Sequence, residues 1–401
     1  MALSEVIFTI AGGGLGRPTP GKDHYTGLVT FIANASLPAG FTTNDRVKQV
    51  GSLSDAEALG IVSTSAVDGI KILHYTVKRL FQKNPRCVLW IGLYDNTAID
   101  VADVAVFQGA TNGECRQIGV LNYATELLSA QVTALQAVST TLLNEYMPAL
   151  IVYAAKSTDT AITALPDLSA LLAPHVCVIV GQDGDGEGAA LATSLNYSVP
   201  ALGDLLGSIS LAKVHESIAW VKKFPQVAGG TGADAGDLDN PAFGNGDKVL
   251  ETSLSVLETI ENKGYIFLRK FRGLANSYFN KFPTAVAASN DLSKGYAVRS
   301  IFKAIRESRT VLIPKLSAPV YLDPSGKLSP ESVDDFRETT NVVLRQMVTD
   351  GELSAAQVLV NPEQNVASTS RVDVAIELLP VGASESIGVT IGFVVALTTG
   401  A

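Results

Sequence analysis

Near the end of the chain, apolar and polar positions alternate. Between Arg371 and Leu379, Val372, Val374, Ile376 and Leu378 fall on one face and Asp373, Ala375 and Glu377 on the other, the period of a half-buried β-strand. Pro380, Gly382 and Ser384 interrupt it. A second strand is expected from about Ile387 to Leu397, with Val389, Ile391, Phe393 and Val395 on one face and mostly small residues (Gly388, Thr390, Gly392, Val394) on the other. The opposite end of the chain behaves alike: from Ala2 to Ala11, Val6, Phe8 and Ile10 share a face, with Glu5, Ile7 and Thr9 on the other. A terminal strand this apolar needs a sheet, because a lone hairpin is marginal in water and an open apolar edge invites association. Periodicity leaves two partners open for the C-terminal strand: its own subunit, or a neighbour's sheet extended by strand addition.

Between these ends, strands alternate with helices. Strands are expected at Tyr25 to Ala33, Arg86 to Leu93, Arg116 to Leu121, Ala149 to Ala155, Val176 to Gly181 and Gly264 to Arg269. Helices are expected from Ser54, at Ala66 to Gln82, Tyr123 to Tyr146, Pro200 to Ile209, Glu251 to Asn262 and Ala297 to Ser308, the last with Lys303 and Arg306 exposed. Short helical turns fill Thr160 to Leu172, Val214 to Trp220 reads as a strand or a turn, and Val320 to Gly326 reads as a strand and turn. The runs at Arg86 to Leu93 and Ala149 to Ala155 are continuously apolar, as in strands covered on both faces. This is the pattern of an α/β body: a mixed, parallel-leaning sheet with helices on both faces. A long amphipathic helix from Ser329 to Asp350 follows, capped by Ser329 and carrying Glu331, Asp334 and Asp335 in its opening turns, where the helix dipole favours them. It opens an α+β C-terminal domain. The domains expected are an N-terminal arm, 1–21, an α/β body, 22–310, and a C-terminal domain, 311–401.

Composition sharpens this picture. Apolar residues make up 47% of the 401 and charged residues only 17%, so much surface must be hidden in a large core or against partners. The net charge of −9 speaks against a nucleic-acid binder, which needs a basic patch. No apolar run reaches the length of a membrane span, and the N-terminus lacks the basic start of a secretory signal. Cys87, Cys115 and Cys177 are odd in number and widely spaced, and read as buried free thiols in a reducing compartment.

Chemical motifs do not assemble. Gly12-Gly13-Gly14-Leu15-Gly16 is followed by Pro18, Pro20 and Gly21 where a nucleotide loop needs a helix, so it reads as a linker. His24, His74, His175 and His215 have no metal-ligand spacing. Asp183-Gly-Asp185-Gly-Glu187-Gly188 resembles a calcium loop, but Ser194 stands at the twelfth position where a bidentate Glu belongs; it reads as an acidic solvent loop. Its place after a strand keeps an α/β enzyme or ligand-binding protein as an alternative, at the level of fold alone. Gly229 to Asp247 reads as a loop without periodicity.

The order of arm, α/β body, long helix and terminal strands resembles the contractile tail sheath family of bacteriophages and related injection systems. The matching segments are Gly264 to Arg272, Gly295 to Arg309 (GYAVRSIFKAIRESR) and above all Leu328 to Ala396, which includes VLVNPEQN, VDVAIELLPV and SIGVTIGFVVAL. The resemblance implies a structural subunit, not an enzyme, with no cofactor. Such subunits polymerise helically around an inner tail tube, beside baseplate and tail terminator proteins, in a virion tail or phage-like particle assembled in the bacterial cytoplasm. It implies no nucleic-acid partner and no membrane insertion. It also implies that Val6, Phe8 and Ile10 at one end and Val389, Ile391, Phe393 and Val395 at the other complete sheets in neighbouring copies. Asp334, Asp335, Arg337 and Glu338 are the candidates to face the tube. Another self-assembling tail protein, such as a tube or terminator subunit, is a further alternative, weakened by the large α/β body.

Overall fold

The computed structural model describes residues 21–97, 99–226, 237–389 and 391. A seven-stranded sheet organises the body, in the order β2-β3-β1-β4-β5-β6-β9. Its strands are β1 (Tyr25–Phe31), β2 (Val47–Val50), β3 (Val88–Tyr94), β4 (Gln117–Glu126), β5 (Leu150–Lys156), β6 (Val176–Ile179) and β9 (Tyr265–Ile266). All neighbours pair in parallel except β2, which runs antiparallel to β3 at one edge. The parallel pairs require crossovers, and the intervening helices cover both faces. On one side lie α1 (Leu53–Ala58), α2 (Asp68–Lys83) and α6 (Leu202–Leu211), packed with Leu28, Ile91, Val152 and Ile179. On the other lie α3 (Asp103–Ala110), α4 (Ser129–Asn144) and α7 (Leu254–Asn262), packed with Val29, Val120, Ile151 and Val178. Successive residues of one strand thus enter opposite cores, which is why these strands read as unbroken apolar runs.

The C-terminal domain has its own small core. Helix α8 (Gly295–Leu312) puts Tyr296, Val298 and Phe302 into the body and Ala304 into a second cluster with Leu344, Met347, Leu353 and Val358. The latter come from α9 (Pro330–Thr349) and β12 (Leu353–Val360), and β13 (Val374–Pro380) pairs antiparallel with β12. Ser329 caps α9 as expected, accepting from the Ser332 N–H.

Several boundaries differ from the sequence reading. The cap of α1 is Ser52, whose side chain accepts from the Asp55 N–H, not Ser54. The segment Tyr123 to Glu126 belongs to β4, because Glu126 pairs with Lys156 across an irregularity in the β4–β5 ladder; α4 starts only at Ser129. Gly264 to Arg269 is not one strand. It leaves the main sheet at Phe267 and continues as β10 (Leu268–Lys270), which pairs with β11 (Ser277–Phe279). Within the stretch read as an aperiodic loop, β8 (Pro241–Phe243) is buried and pairs with β7 (Gly181–Asp183). Val320 to Gly326 forms only a bridge, Leu322 to Leu328. β12 went unread: Ser354, Ala355 and Ala356 dilute its alternation.

Candidate functional site

The C-terminal hairpin has the form of an incomplete sheet. β12 and β13 pair through Ala356↔Leu378, Val358↔Ile376 and Val360↔Val374. One face, with Leu353, Val358 and Val360, is buried against α9. The other leaves Leu359 and Leu379 exposed. No third strand joins either outer edge among the described residues, so two rows of backbone donors and acceptors stay open. Beside the start of β13, the segment 312–322 and the turn before the strand bound a groove of about 1110 Å³. Leu316, Val320, Leu322, Phe336 and Val374 contribute its apolar lining.

A buried charged cluster joins this hairpin to the beginning of the described chain. Lys303 Nζ of α8 donates to Asp23 Oδ2 at 2.9 Å and to Glu352 Oε1 at 2.7 Å. Asp23 lies just after the glycine-rich stretch of the sequence, and Glu352 immediately precedes β12. Around them Arg299 donates to the carbonyls of Ala212 and Lys213, and Arg306 to that of Pro148. Lys303 and Arg306 were expected on the surface; both are mostly covered, because α8 is packed on the body along one side and on the hairpin domain along the other. Burial raises the Asp23 carboxyl, but Lys303, Arg299 and Arg306 outweigh it and hold the pKa below the ordinary value. At Glu352 burial wins over Lys303 and pushes the pKa up. Its Oε2 has no partner.

In the Asp183 loop, where an α/β enzyme would put its chemistry, Asp183 itself is turned inward while Asp185 stays exposed beside Lys248. Asp183 is buried, not a solvent residue; its carboxylate accepts from the backbone N–H groups of Asp185, Gly188 and Leu238. Gly186 then caps α5 (Glu187–Leu195). Beside it Arg79 donates to both carboxylate oxygens of Asp204 at 2.8–3.2 Å and to Asp237 Oδ2 at 3.0 Å. Burial raises the Asp237 carboxyl despite Arg79. These groups answer one another and the backbone. The cysteines are buried and free, and burial pushes the Cys115 thiol up to about 12. His74 Nε2 lies 2.9 Å from Glu57 Oε1, and His175 Nδ1 lies 3.2 Å from Ser139 Oγ.

Of the residues expected to take part in strand exchange, Val6, Phe8, Ile10, Phe393 and Val395 lie outside the described residues. Val389 and Ile391 are 72% and 90% exposed. The described residues from Ile387 onward are not in a strand. On α9, Asp334, Asp335 and Glu338 stand exposed and Arg337 is half-buried; they are engaged by Lys315, by one another and by Arg345. Sequence reasoning missed Asp23, Arg79, Asp204, Asp237 and Glu352. Their partners lie up to 280 residues away, and no local pattern marks them.

Family models match nearly the whole chain: the DUF2586 N-terminal domain over residues 3–282 and the DUF2586 C-terminal domain over residues 293–398. No curated protein matches the sequence. Among solved structures, the helical sheath of the anti-feeding prophage in its contracted state is similar at a TM-score of 0.62 and 13% identity, over 96% of this chain and 99% of that one. The contracted sheath complex of an extracellular contractile injection system, PVC, gives 0.60 and 11%, over 98% and 99%. The sheath tail protein of Desulfitobacterium hafniense gives 0.51 and 9%, over 94% and 100%. The fold is that of contractile sheath proteins. Among the described residues, no helix is long and apolar enough to cross a membrane.

Proposed function

The chain belongs to the DUF2586 family, and from that premise we propose that it is a structural subunit of a contractile tail sheath, without catalytic activity. Copies polymerise helically around an inner tube, between baseplate and terminator proteins. The strand at about Ser4 to Ala11 and the strand at about Ile387 to Leu397 complete sheets in other copies. Contraction then repacks subunit bodies, a bistable arrangement, while main-chain ladders keep the mesh connected. Non-closing heterologous contacts of this kind build helices. In this reading Asp334, Asp335, Arg337 and Glu338 face the tube. The division between body and C-terminal domain falls at 310/311, near the C-terminal end of α8.

The observation that carries the reading is the unfinished β12–β13 sheet in a chain whose two ends each carry an apolar alternating segment. A two-stranded sheet is marginal alone, and added strands satisfy its open edges. The test is removal of Ser386 to Ala401. The truncated chain is expected to keep its α/β circular dichroism and to form no cylinders under negative stain. Cylinders from the truncated chain would reject exchange at this end.

A further inference from the structure

After β13 the chain comes back to the body, where among the described residues an acidic side chain meets it. Glu385 Oε1 lies 2.6 Å from Lys294 Nζ, and its Oε2 lies 3.6 Å from Lys281 Nζ. The residues around it, 382–389, are exposed. Just beyond, Ile387, Val389 and Ile391 carry their apolar side chains into solvent.

The receiving surface is the N-terminal end of α8. That helix begins after Lys294, with no side-chain cap and no acidic residue in its first turn. The Gly295 N–H is taken by the Phe282 carbonyl, but the helix dipole makes this end positive and Lys294 adds to the charge where an anion is favoured. Lys281 adds a second cation, shared with Glu261 at 2.9 Å. Glu385 supplies from 90 residues downstream the negative charge that the start of α8 lacks. Further along the same helix, Lys303 holds Asp23, at the root of the N-terminal tether. One helix therefore holds the roots of both chain ends.

We propose that Glu385 is a clasp: it pins the root of the C-terminal strand to the start of α8 and so fixes the point from which that strand reaches another copy. The proposal rests on the sheath reading and adds a positioning residue to it. With the clasp closed, the free link begins after Glu385. With it open, the link begins after Pro380 and gains residues 381–385, up to about 17 Å of extended chain. A longer free link lowers the effective concentration of the strand at its acceptor once it exceeds the span. Exposed ion pairs are weak and screened by salt, which suits a clasp that yields when subunits rearrange.

The test uses the full chain. In Glu385→Gln, the half-time of cylinder formation, followed by light scattering and electron microscopy, is expected to lengthen roughly two- to fivefold at low salt, the range of an exposed ion pair, with the difference shrinking as salt rises. Glu385→Lys should slow assembly further, and the exchange E385K/K294E should recover part of the loss. In unassembled subunits, E385Q should speed hydrogen exchange at the first turn of α8. Wild-type kinetics together with unchanged exchange in E385Q would overturn the clasp. If wild-type protein formed no cylinders at all, the sheath reading would fail, while the exchange comparison would still decide whether Glu385 holds the helix start.

Discussion

Two side chains set much of the electrostatic character of this molecule. Arg79 is buried between Asp204 and Asp237. Removing the cation from such a group leaves two buried carboxylates without their counter-charge, which costs about 3–5 kcal/mol. Arg79→Met is therefore expected to lower urea stability by that amount, and a loss within the error of the measurement would contradict the packing described. Lys303 binds two carboxylates whose pKa values are shifted in opposite directions. Asp23 has a folded pKa below its ordinary 3.8, so it stabilises above that value and the contribution is lost as pH falls through the lower folded pKa. Glu352 has a folded pKa above 4.5, so its ionised form costs stability at neutral pH, and this cost disappears as pH falls through the raised pKa towards 4.5. Glu352→Gln should flatten the gain in stability on acidification above pH 4.5, and Asp23→Asn should reduce the loss below 3.8. Urea unfolding across this range reads both. None of this was legible in the sequence: Arg79 sits 125 residues from Asp204 and 158 from Asp237, and only the fold brings them together.

At the scale of elements, α6 packs closely on α2. A Cβ at Gly203 would run into the Thr76 carbonyl, and one at Gly207 would lie 2.6 Å from Lys83 Cβ and 3.0 Å from the Leu80 carbonyl. Two small residues one turn apart let the helix backbones meet. Gly203→Ala has backbone in its way, which cannot move aside as a side chain can, so it should cost about 1–3 kcal/mol, the range for overpacking. Thermal unfolding unchanged from wild type would argue against this seam. Elements whose own residues determine them were readable: the doubly covered strands β3 and β5 from continuous apolar runs, α2 from Ile70, Leu73, Val77 and Phe81, and α9 from its cap. Elements fixed by a distant partner were not. Phe267 divides β9 from β10 because one half pairs with β6 and the other with β11. Tyr123 to Glu126 extends β4 because Lys156 lies beside it. Asp183 turned inward because the amide of Leu238, far along the chain, reaches it.

At the scale of the whole molecule, two cores share one helix. α8 contributes Phe302 to the body and Ala304 to the hairpin domain, and Lys303 between them holds the roots of the N-terminal tether and of β12. The alternation at both ends is visible in the residues themselves; residues 2–11 lie outside the described residues, and Ile387, Val389 and Ile391 are exposed. Which copy supplies a sheet for these ends is a property of the assembly, and in the proposed mesh it is another one. In that proposal, residues 12–21 serve as a tether that lets the body turn while its strand stays paired. Shortening this stretch should permit one lattice state and block the other, as judged by the cylinder lengths and diameters seen in electron micrographs; both states persisting would remove the hinge role. The most direct test is a cryo-EM reconstruction of the assembled particle, traced at the β12–β13 sheet. Strands of residues 4–11 and 387–397 from other copies, paired with that sheet, are the predicted result. Both ends folded back onto their own body, with the hairpin edges still open, would contradict it.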